Sequence, residues 1–180
     1  MIHSRRLSTV FVTLATSLAV APAFADHFTF PTRLSGYNET PSTLNSPATG
    51  SFVASVSKDE SQISYTLTYS GIPSAVTQAH IHFGRPGLSG GISLFLCSNL
   101  GNGPAGTQTC PQTGTVTGTL TAAQVIGPAA QGIPPGDLAD MIKAIRNGAA
   151  YANVHSTQYP SGEIRGPLGK TGGDDEDDDD

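Results

Sequence analysis

Two histidines lie one residue apart in the stretch TQAHIHFGRPG, at His80 and His82, and a third, His155, lies in the later stretch YANVHS. Imidazole nitrogens bind zinc and copper at distances of about 2 Å. On a β-strand, residues two positions apart point to the same face with Cα atoms about 6.5–7 Å apart, so the rings of His80 and His82 can converge on one ion. The pattern predicts a three-histidine metal site, provided that His155 lies on a neighbouring strand.

Apolar residues in both segments indicate which face the histidines occupy. Ala79 and Ile81 alternate with the first two histidines, and Val154 directly precedes His155. We expect the apolar residues to face the core and the imidazoles to project from the outer face, beneath the RPGLSGG or STQYPSG connection. The alternative is that these histidines are ordinary outward polar residues, joined with Gln78 and Asn153 in a surface hydrogen-bond network.

Residues near the third histidine could support such a site. Glu163 and Asn153 are candidate partners for the second nitrogen of a metal-bound histidine, which usually donates to a carboxylate or carbonyl. Arg165 lies two residues after Glu163 and so on the same strand face, where it could pair with that carboxylate or attract an anion. The alternative is that Glu163 and Arg165 only form an ion pair with each other, which would stabilise the fold by less than about 1 kcal/mol.

Eight short segments rich in β-branched and aromatic residues must position these side chains. They are separated by Gly, Pro, Asn and Ser at spacings typical of hairpins, which predicts an all-β, Greek-key antiparallel sandwich or barrel. One stretch, GDLADMIKAIRNG, carries apolar residues at i, i+3, i+4 and i+7 and predicts a single inserted helix near the C-terminal strands.

The N-terminal residues have the pattern of an export signal. Two arginines precede an uncharged apolar run, and Ala23-Phe24-Ala25 fits the cleavage rule, so residues 1–25 are interpreted as a signal peptide. The run is shorter than the roughly 20 residues that span a bilayer, so we expect no membrane span. The folded domain is then expected over residues 26–169, in a periplasmic or secreted protein.

The two cysteines, Cys97 and Cys110, predict a disulfide, because an even number of cysteines in an exported chain usually pairs. A crosslink over their Gly-rich connection could stabilise the fold by about 3 kcal/mol. A pair of metal-binding thiolates is the alternative.

Charge argues against a nucleic-acid partner. The formal net charge is −5, and the terminal run DDEDDDD supplies more acidic charge than that, so the body of the chain is close to neutral and lacks a basic patch. Residues 170–180 are interpreted by composition as a disordered, solubilising acidic tail.

Two segments taken together resemble the paired motifs of the CHRD domain, first defined in chordin and common in exported bacterial proteins. They are AHIHFGRPGLSGGISLFLC and IRNGAAYANVHSTQYPSGEIRGPL, and the likeness extends over roughly residues 28–168. The resemblance implies a binding module for an extracytoplasmic ligand or protein. The cysteine-rich repeats of chordin are absent, so the resemblance does not extend to growth-factor binding.

A more limited resemblance is to the copper/zinc superoxide dismutases, which are Greek-key barrels with an exported bacterial branch. His80-Ile81-His82 is similar to the H-x-H strand of that family, His155 to a later copper ligand, and Arg165 to the arginine that guides superoxide. No histidine lies between His82 and His155, so the bridging ligand and the zinc site have no counterpart. The resemblance implies one ion at most, and it implies that the two histidine strands are neighbours.

Two functional hypotheses remain open from the sequence. In the first, the chain is an exported CHRD-type binding module with no catalytic residues. In the second, the same domain binds one copper or zinc ion through His80, His82 and His155, for metal handling or as a copper-dependent oxidoreductase of the superoxide dismutase type.

Overall fold

Alternating apolar and polar residues build most of the strands. A computed structural model of the protein describes residues 28–169, and eight antiparallel strands in this range form one sheet that curls into a nearly closed barrel. The strands are β1 Phe28–Ser35, β2 Thr49–Val56, β3 Ile63–Ser70, β4 Val76–Phe83, β5 Gly91–Ser98, β6 Gly114–Leu120, β7 Ala150–Ser156 and β8 Ile164–Leu168. The all-β prediction is confirmed.

One α-helix, α1 (Leu138–Arg146), precedes the last two strands, as its apolar periodicity predicts. Asp137 caps it by accepting a hydrogen bond from the backbone N–H of Asp140, which satisfies one of the free donors of the first turn. The buried stripe of Met141, Ile142 and Ile145 packs into the core. Within residues 28–169, three 3₁₀ turns complete the helical segments, at Gly36–Asn38, Ala122–Gln124 and Ala129–Gln131.

The order of strands in the sheet is β5-β4-β7-β8-β1-β2-β3-β6. Hairpins join β1 to β2, β2 to β3, β4 to β5 and β7 to β8, whereas the connection from β3 to β4 crosses to a distant position in the sheet. The crossing places β4 beside β7 in antiparallel register, with His80 opposite Asn153 and Gln78 opposite His155. The adjacency of the two histidine strands, which only the family resemblances implied, is confirmed.

Apolar side chains of successive strands meet inside the barrel. Phe52, Ala54 and Val56 of β2 and Ile63 and Leu67 of β3 are fully buried, as their alternation predicts. Each large apolar side chain moved from water into such a core contributes about 1.5–3 kcal/mol. The core therefore supplies a rigid inner face for every strand that carries a polar residue on its outer face.

The loop between β5 and β6 closes the seam between the two edge strands. Its Gln108 side chain donates to the Thr117 carbonyl of β6 at 2.8 Å, and its backbone carbonyl accepts from the N–H of Ser98 in β5 at 2.8 Å. The Tyr65 hydroxyl adds a 2.7 Å hydrogen bond to the Leu96 carbonyl. These bonds satisfy backbone groups that an open sheet edge would leave unpaired.

The predicted disulfide is present and anchors the same loop. Cys97, at the end of β5, is bonded to Cys110, and both residues are buried. The structure describes no free cysteine in residues 28–169, so the thiolate alternative is wrong for this pair.

The signal peptide (residues 1–25) and the acidic tail (residues 170–180) lie outside the described residues and stay predictions. Among the helices of residues 28–169, none has the length and apolar character needed to cross a bilayer.

Candidate metal centre

The three histidines meet on the outer face of β4 and β7. His80 and His82 project from β4 on the face opposite Ala79 and Ile81, and His155 projects from β7 beside them. Each ring offers one nitrogen to a group whose atoms lie within 4.8 Å of one another. The Nδ1 atom of His80 and the Nε2 atom of His155 are 3.1 Å apart, close to the roughly 3.3 Å between two nitrogens bound to one tetrahedral ion.

Two connections fold over this face and bury the cluster. The β4–β5 connection places the Gly90 carbonyl against His82, and the β7–β8 connection places the Pro160 carbonyl against His155. As a result the exposed fractions are 0% for His80, 6% for His82 and 4% for His155. The outward projection and the two covering loops agree with the sequence, but the interpretation as a surface hydrogen-bond network is wrong because the rings are not at the surface.

Backbone carbonyls fix the protonation of two of the rings. Nδ1 of His82 lies 3.0 Å from the Gly90 carbonyl, and Nδ1 of His155 lies 3.1 Å from the Pro160 carbonyl. A carbonyl only accepts, so in both rings Nδ1 carries the proton and Nε2 carries a lone pair. Metal-binding histidines characteristically have this arrangement, in which one nitrogen donates to a neighbour and the other is free to bind an ion.

Two imidazole nitrogens have no partner in the described part of the chain. They are Nε2 of His80 and Nε2 of His82; the Ser93 hydroxyl is the third buried side-chain atom in this condition. A buried polar atom without a hydrogen bond costs about 1–3 kcal/mol, so such atoms are uncommon and call for an explanation. A cation held between the rings would satisfy Nε2 of His82, and it would satisfy Nε2 of His80 where that ring binds through Nε2 instead of the Nδ1 that contacts His155.

Burial keeps the three rings in the neutral form that binds metals. It is the main cause that lowers the pKa of His80 to about 2, with smaller contributions from the adjacent His155 and His82. Burial likewise lowers the pKa of His82 and of His155 to about 4, although the carbonyl of Gly90 or Pro160 partly opposes this. At neutral pH the cluster therefore presents lone pairs rather than positive charges.

Two aromatic side chains pack against the cluster. Phe95 lies edge-on to His80 with ring centroids 4.4 Å apart, and Tyr151 stacks on His82 with centroids 4.7 Å apart and planes 2° from parallel. The Tyr151 hydroxyl accepts a 3.0 Å hydrogen bond from the Gly90 N–H, which holds the covering loop in place. The imidazoles are thus positioned by packing as well as by hydrogen bonds.

Arg165 lies behind Tyr151 and is fully engaged with the protein. Its guanidinium carbon is 4.1 Å from the centre of the Tyr151 ring, and its nitrogens contact the Glu39 carboxylate at 3.3 Å and the Leu88 carbonyl at 2.9 Å. Both members of the Arg165–Glu39 pair are almost completely buried. Arg165 therefore pairs with Glu39, whereas the sequence suggested Glu163 as its partner; its role as an anion guide stays a prediction.

The two predicted supporting residues lie near the cluster but bind other groups. Glu163 is fully buried and accepts hydrogen bonds from the hydroxyls of Ser46, at 2.7 Å, and Ser156. Asn153 donates to the Glu39 carboxylate at 2.6 Å and to the Ile164 carbonyl at 2.8 Å. Neither residue has a hydrogen bond to an imidazole among those described, and backbone carbonyls occupy the positions that we expected them to fill.

Sequence reasoning missed Glu39, Tyr151 and Phe95 as parts of this site. Alternation along β7 places Tyr151 on the face of His155, which was a usable signal for it. The position of Phe95 beside His80 follows only from the register in which β5 pairs with β4. Glu39 lies 126 positions from Arg165 in a loop after β1, so no local pattern links the two residues.

The fold and the cluster together define a class: an antiparallel β-barrel with a buried three-histidine group on its outer face. A family model of the CHRD domain matches residues 30–168. The chain therefore belongs to the CHRD domain family. No curated protein and no solved structure gives a significant match to this chain.

Proposed function

We propose that this CHRD domain binds one copper or zinc ion through His80, His82 and His155 and acts in metal handling outside the cytoplasm. The supporting observation is the convergence of three buried imidazoles, two of which keep a nitrogen without a hydrogen-bond partner in the described residues. A buried nitrogen left without a partner costs about 1–3 kcal/mol, and a bound ion would remove this cost at each nitrogen that it contacts.

The donor set favours copper over other common divalent ions. Imidazole suits zinc, copper, iron and nickel, and within one nitrogen site the affinity of divalent ions peaks at copper. Calcium and magnesium prefer oxygen ligands, which the group of three histidines does not contain.

Metal handling suits the enclosure of the site better than superoxide chemistry does. A catalytic metal needs an open position for its substrate. Here Tyr151, Phe95 and the two covering loops enclose the rings, and Arg165 is turned to Glu39 and backbone carbonyls. We therefore place redox catalysis second, to be tested by a superoxide assay on the metal-loaded protein.

Export rests on three observations of different kinds. The Cys97–Cys110 disulfide is typical of an oxidising compartment. The resemblance to exported CHRD proteins points the same way, and so does the signal-peptide pattern of residues 1–25, which remains a sequence prediction.

A copper and zinc titration followed by thermal unfolding tests the proposal. We expect the metal to bind at one equivalent and to raise the unfolding midpoint of the chain beginning at Asp26. Free metal at 100 times its Kd stabilises the folded state by about 2.7 kcal/mol. His82→Ala should abolish the shift. His27→Ala is the matched control: it removes the fourth histidine of the chain that begins at Asp26, and binding through His80, His82 and His155 predicts that the shift stays intact.

A midpoint in the parent protein that zinc and copper in both oxidation states leave unchanged would contradict the proposal, as would an equal shift in His82→Ala.

A binding module for another macromolecule is the second candidate. Tyr37 and Leu88, with 67% and 59% of their surface exposed, lie in the two loops that meet over Arg165. A cleft of about 310 Å³ between these loops is lined in part by Tyr37, Pro86 and Arg165. Affinity capture from envelope or culture fluid, repeated with Tyr37→Ala and Leu88→Ala, tests this function; a partner captured equally by the variants would contradict the assignment of this surface.

A further inference from the structure

We infer that the centre binds copper as Cu(I) and discriminates against divalent ions; this inference rests on the proposed metal site. The observations that carry it are the neutrality of the ligand group, its enclosure and the number of its donors. Each is a property of the described residues.

The ligand group brings no negative charge to the ion. Among residues 28–169, the set of side chains that can share one ion here consists of three histidines, without a carboxylate or a thiolate. The cost of burying an ion rises with the square of its charge, so an uncompensated divalent ion costs about four times as much as a monovalent one in the same surroundings. A neutral, buried site therefore favours Cu(I).

The residues around the ligands do not supply the missing charge. His82 and His155 donate to the carbonyls of Gly90 and Pro160, which are neutral acceptors. The two nearby carboxylates are committed elsewhere: Glu163 accepts from two serine hydroxyls, and Glu39 binds Arg165 and Asn153. No carboxylate among the described hydrogen bonds polarises an imidazole, so the ligands remain uncharged.

The number of donors points the same way. Zinc in a protein almost always has four ligands, and an open fourth position is normally filled by water. The centre offers three nitrogens, and its imidazoles are at most 6% exposed, so water has little access to a fourth position. Three-coordinate nitrogen sites are common for Cu(I), which has a filled d shell and accepts low coordination numbers.

The test is a comparison of metal affinities in the full chain from Asp26, purified with a tag that contains no histidine. Cu(I) affinity is measured without oxygen against a chromophoric Cu(I) chelator, and Cu(II) and Zn(II) affinities are measured against matched divalent chelators. We expect one Cu(I) per chain, weaker binding of both divalent ions, and copper that remains silent in electron paramagnetic resonance after exposure to air.

A matched pair of variants asks whether charge is the cause. His82→Glu replaces one neutral ligand by an anion of similar reach, and His82→Gln removes the ligand nitrogen without adding charge. We expect His82→Glu to bind Zn(II) at least about tenfold more tightly than His82→Gln does, a change equal to about 1.4 kcal/mol. Circular dichroism establishes that both variants are folded.

The possible outcomes separate this inference from the proposed function. Divalent ions bound by the parent protein as tightly as Cu(I) would overturn the inference while leaving the metal site in place. Failure to retain either Cu(I) or a divalent ion would overturn both. Equal zinc affinities in the two folded His82 variants would remove charge as the explanation.

Discussion

The nitrogens of His80, His82 and His155 have unequal surroundings, and this inequality gives the cluster its chemistry. His82 and His155 each use one nitrogen to donate to a carbonyl, whereas the described hydrogen bond of His80 goes only to His155. Because Nε2 of His155 carries a lone pair, His80 donates from Nδ1 in the metal-free protein. A bound ion would replace this contact between the two rings.

The histidines predict how pH changes the stability of the metal-free protein. Burial lowers the pKa of His82 and His155 to about 4 and that of His80 to about 2, below the ordinary value of 6.5. Below about pH 6.5 the unfolded chain therefore binds more protons than the folded chain does. The free energy of unfolding should be highest above about pH 6.5 and should fall progressively as the pH decreases toward 4.

Urea unfolding in the presence of a chelator, at several pH values, measures this dependence. The triple variant His80→Gln, His82→Gln, His155→Gln is the control and should show a flatter pH profile. The control is needed because burial raises the pKa of Glu39, and a carboxyl with a raised pKa changes stability in the opposite direction. Identical profiles for the two proteins would contradict the assignment.

Gly90 predicts a steric link between the covering loop and the cluster. A Cβ atom at this position would lie 1.8 Å from the Phe83 carbonyl oxygen, so Gly90→Ala must displace the carbonyl that orients His82. We expect it to reduce stability by about 1–3 kcal/mol or more and to weaken copper binding.

Gly87→Ala is the matched control in the same loop. Gly87 has a φ of 83°, and a Cβ added there would meet no atom within 4 Å, so only backbone strain of about 1–2 kcal/mol is expected and copper affinity should be retained. Chemical unfolding and copper competition measure the two effects. Equal copper affinity in both variants would show that the Gly90 carbonyl does not orient the ligand.

At the scale of elements, the barrel depends on the connection between β5 and β6. The Gln108 amide donates to the Thr117 carbonyl and to the Tyr65 hydroxyl, each at 2.8 Å. Cys110 of the same connection is tied to Cys97 of β5. Side chains of this loop thus replace the backbone ladder that two directly paired strands would form.

Gln108→Ala should lower the free energy of unfolding by about 1–2 kcal/mol, because two hydrogen bonds are lost. It should also accelerate amide hydrogen exchange in β5 and β6 without changing metal affinity, since the histidines lie on β4 and β7. Gln158→Ala is the control at an exposed position and should change stability by less than about 0.5 kcal/mol. A uniform increase in exchange across all strands would contradict a local role for Gln108.

Strand positions were accessible from the sequence because each strand carries its own pattern. Alternation identified the buried face of β2 and β3, and it placed His80 and His82 together on the other face of β4. The turn signals also located the hairpins. These features depend on residues a few positions apart, which is the range over which a sequence pattern carries structural information.

The surroundings of the site were not accessible in this way. The burial of the histidines depends on how two loops fold over the sheet, and the Arg165–Glu39 pair joins positions that are 126 residues apart. Because Glu163 lies two residues before Arg165, the sequence suggests Glu163 as the partner of Arg165. In the structure Arg165 pairs with Glu39 instead, because the loop after β1 reaches the outer face of β8.

At the scale of the whole molecule, the centre joins two distant parts of the chain. His80 and His155 are 75 residues apart, and they meet only when the crossing connection has placed β4 beside β7. A bound ion would therefore stabilise a long-range contact that the unfolded chain lacks, so that metal affinity contributes directly to folding stability.

Anomalous X-ray diffraction from crystals of the copper-loaded protein would locate the bound ion itself. A centre formed by the three histidines predicts one copper peak per chain, at about 2 Å from a nitrogen of each of His80, His82 and His155. A peak bound elsewhere, or an ordered cluster with no peak between the three rings, would contradict it.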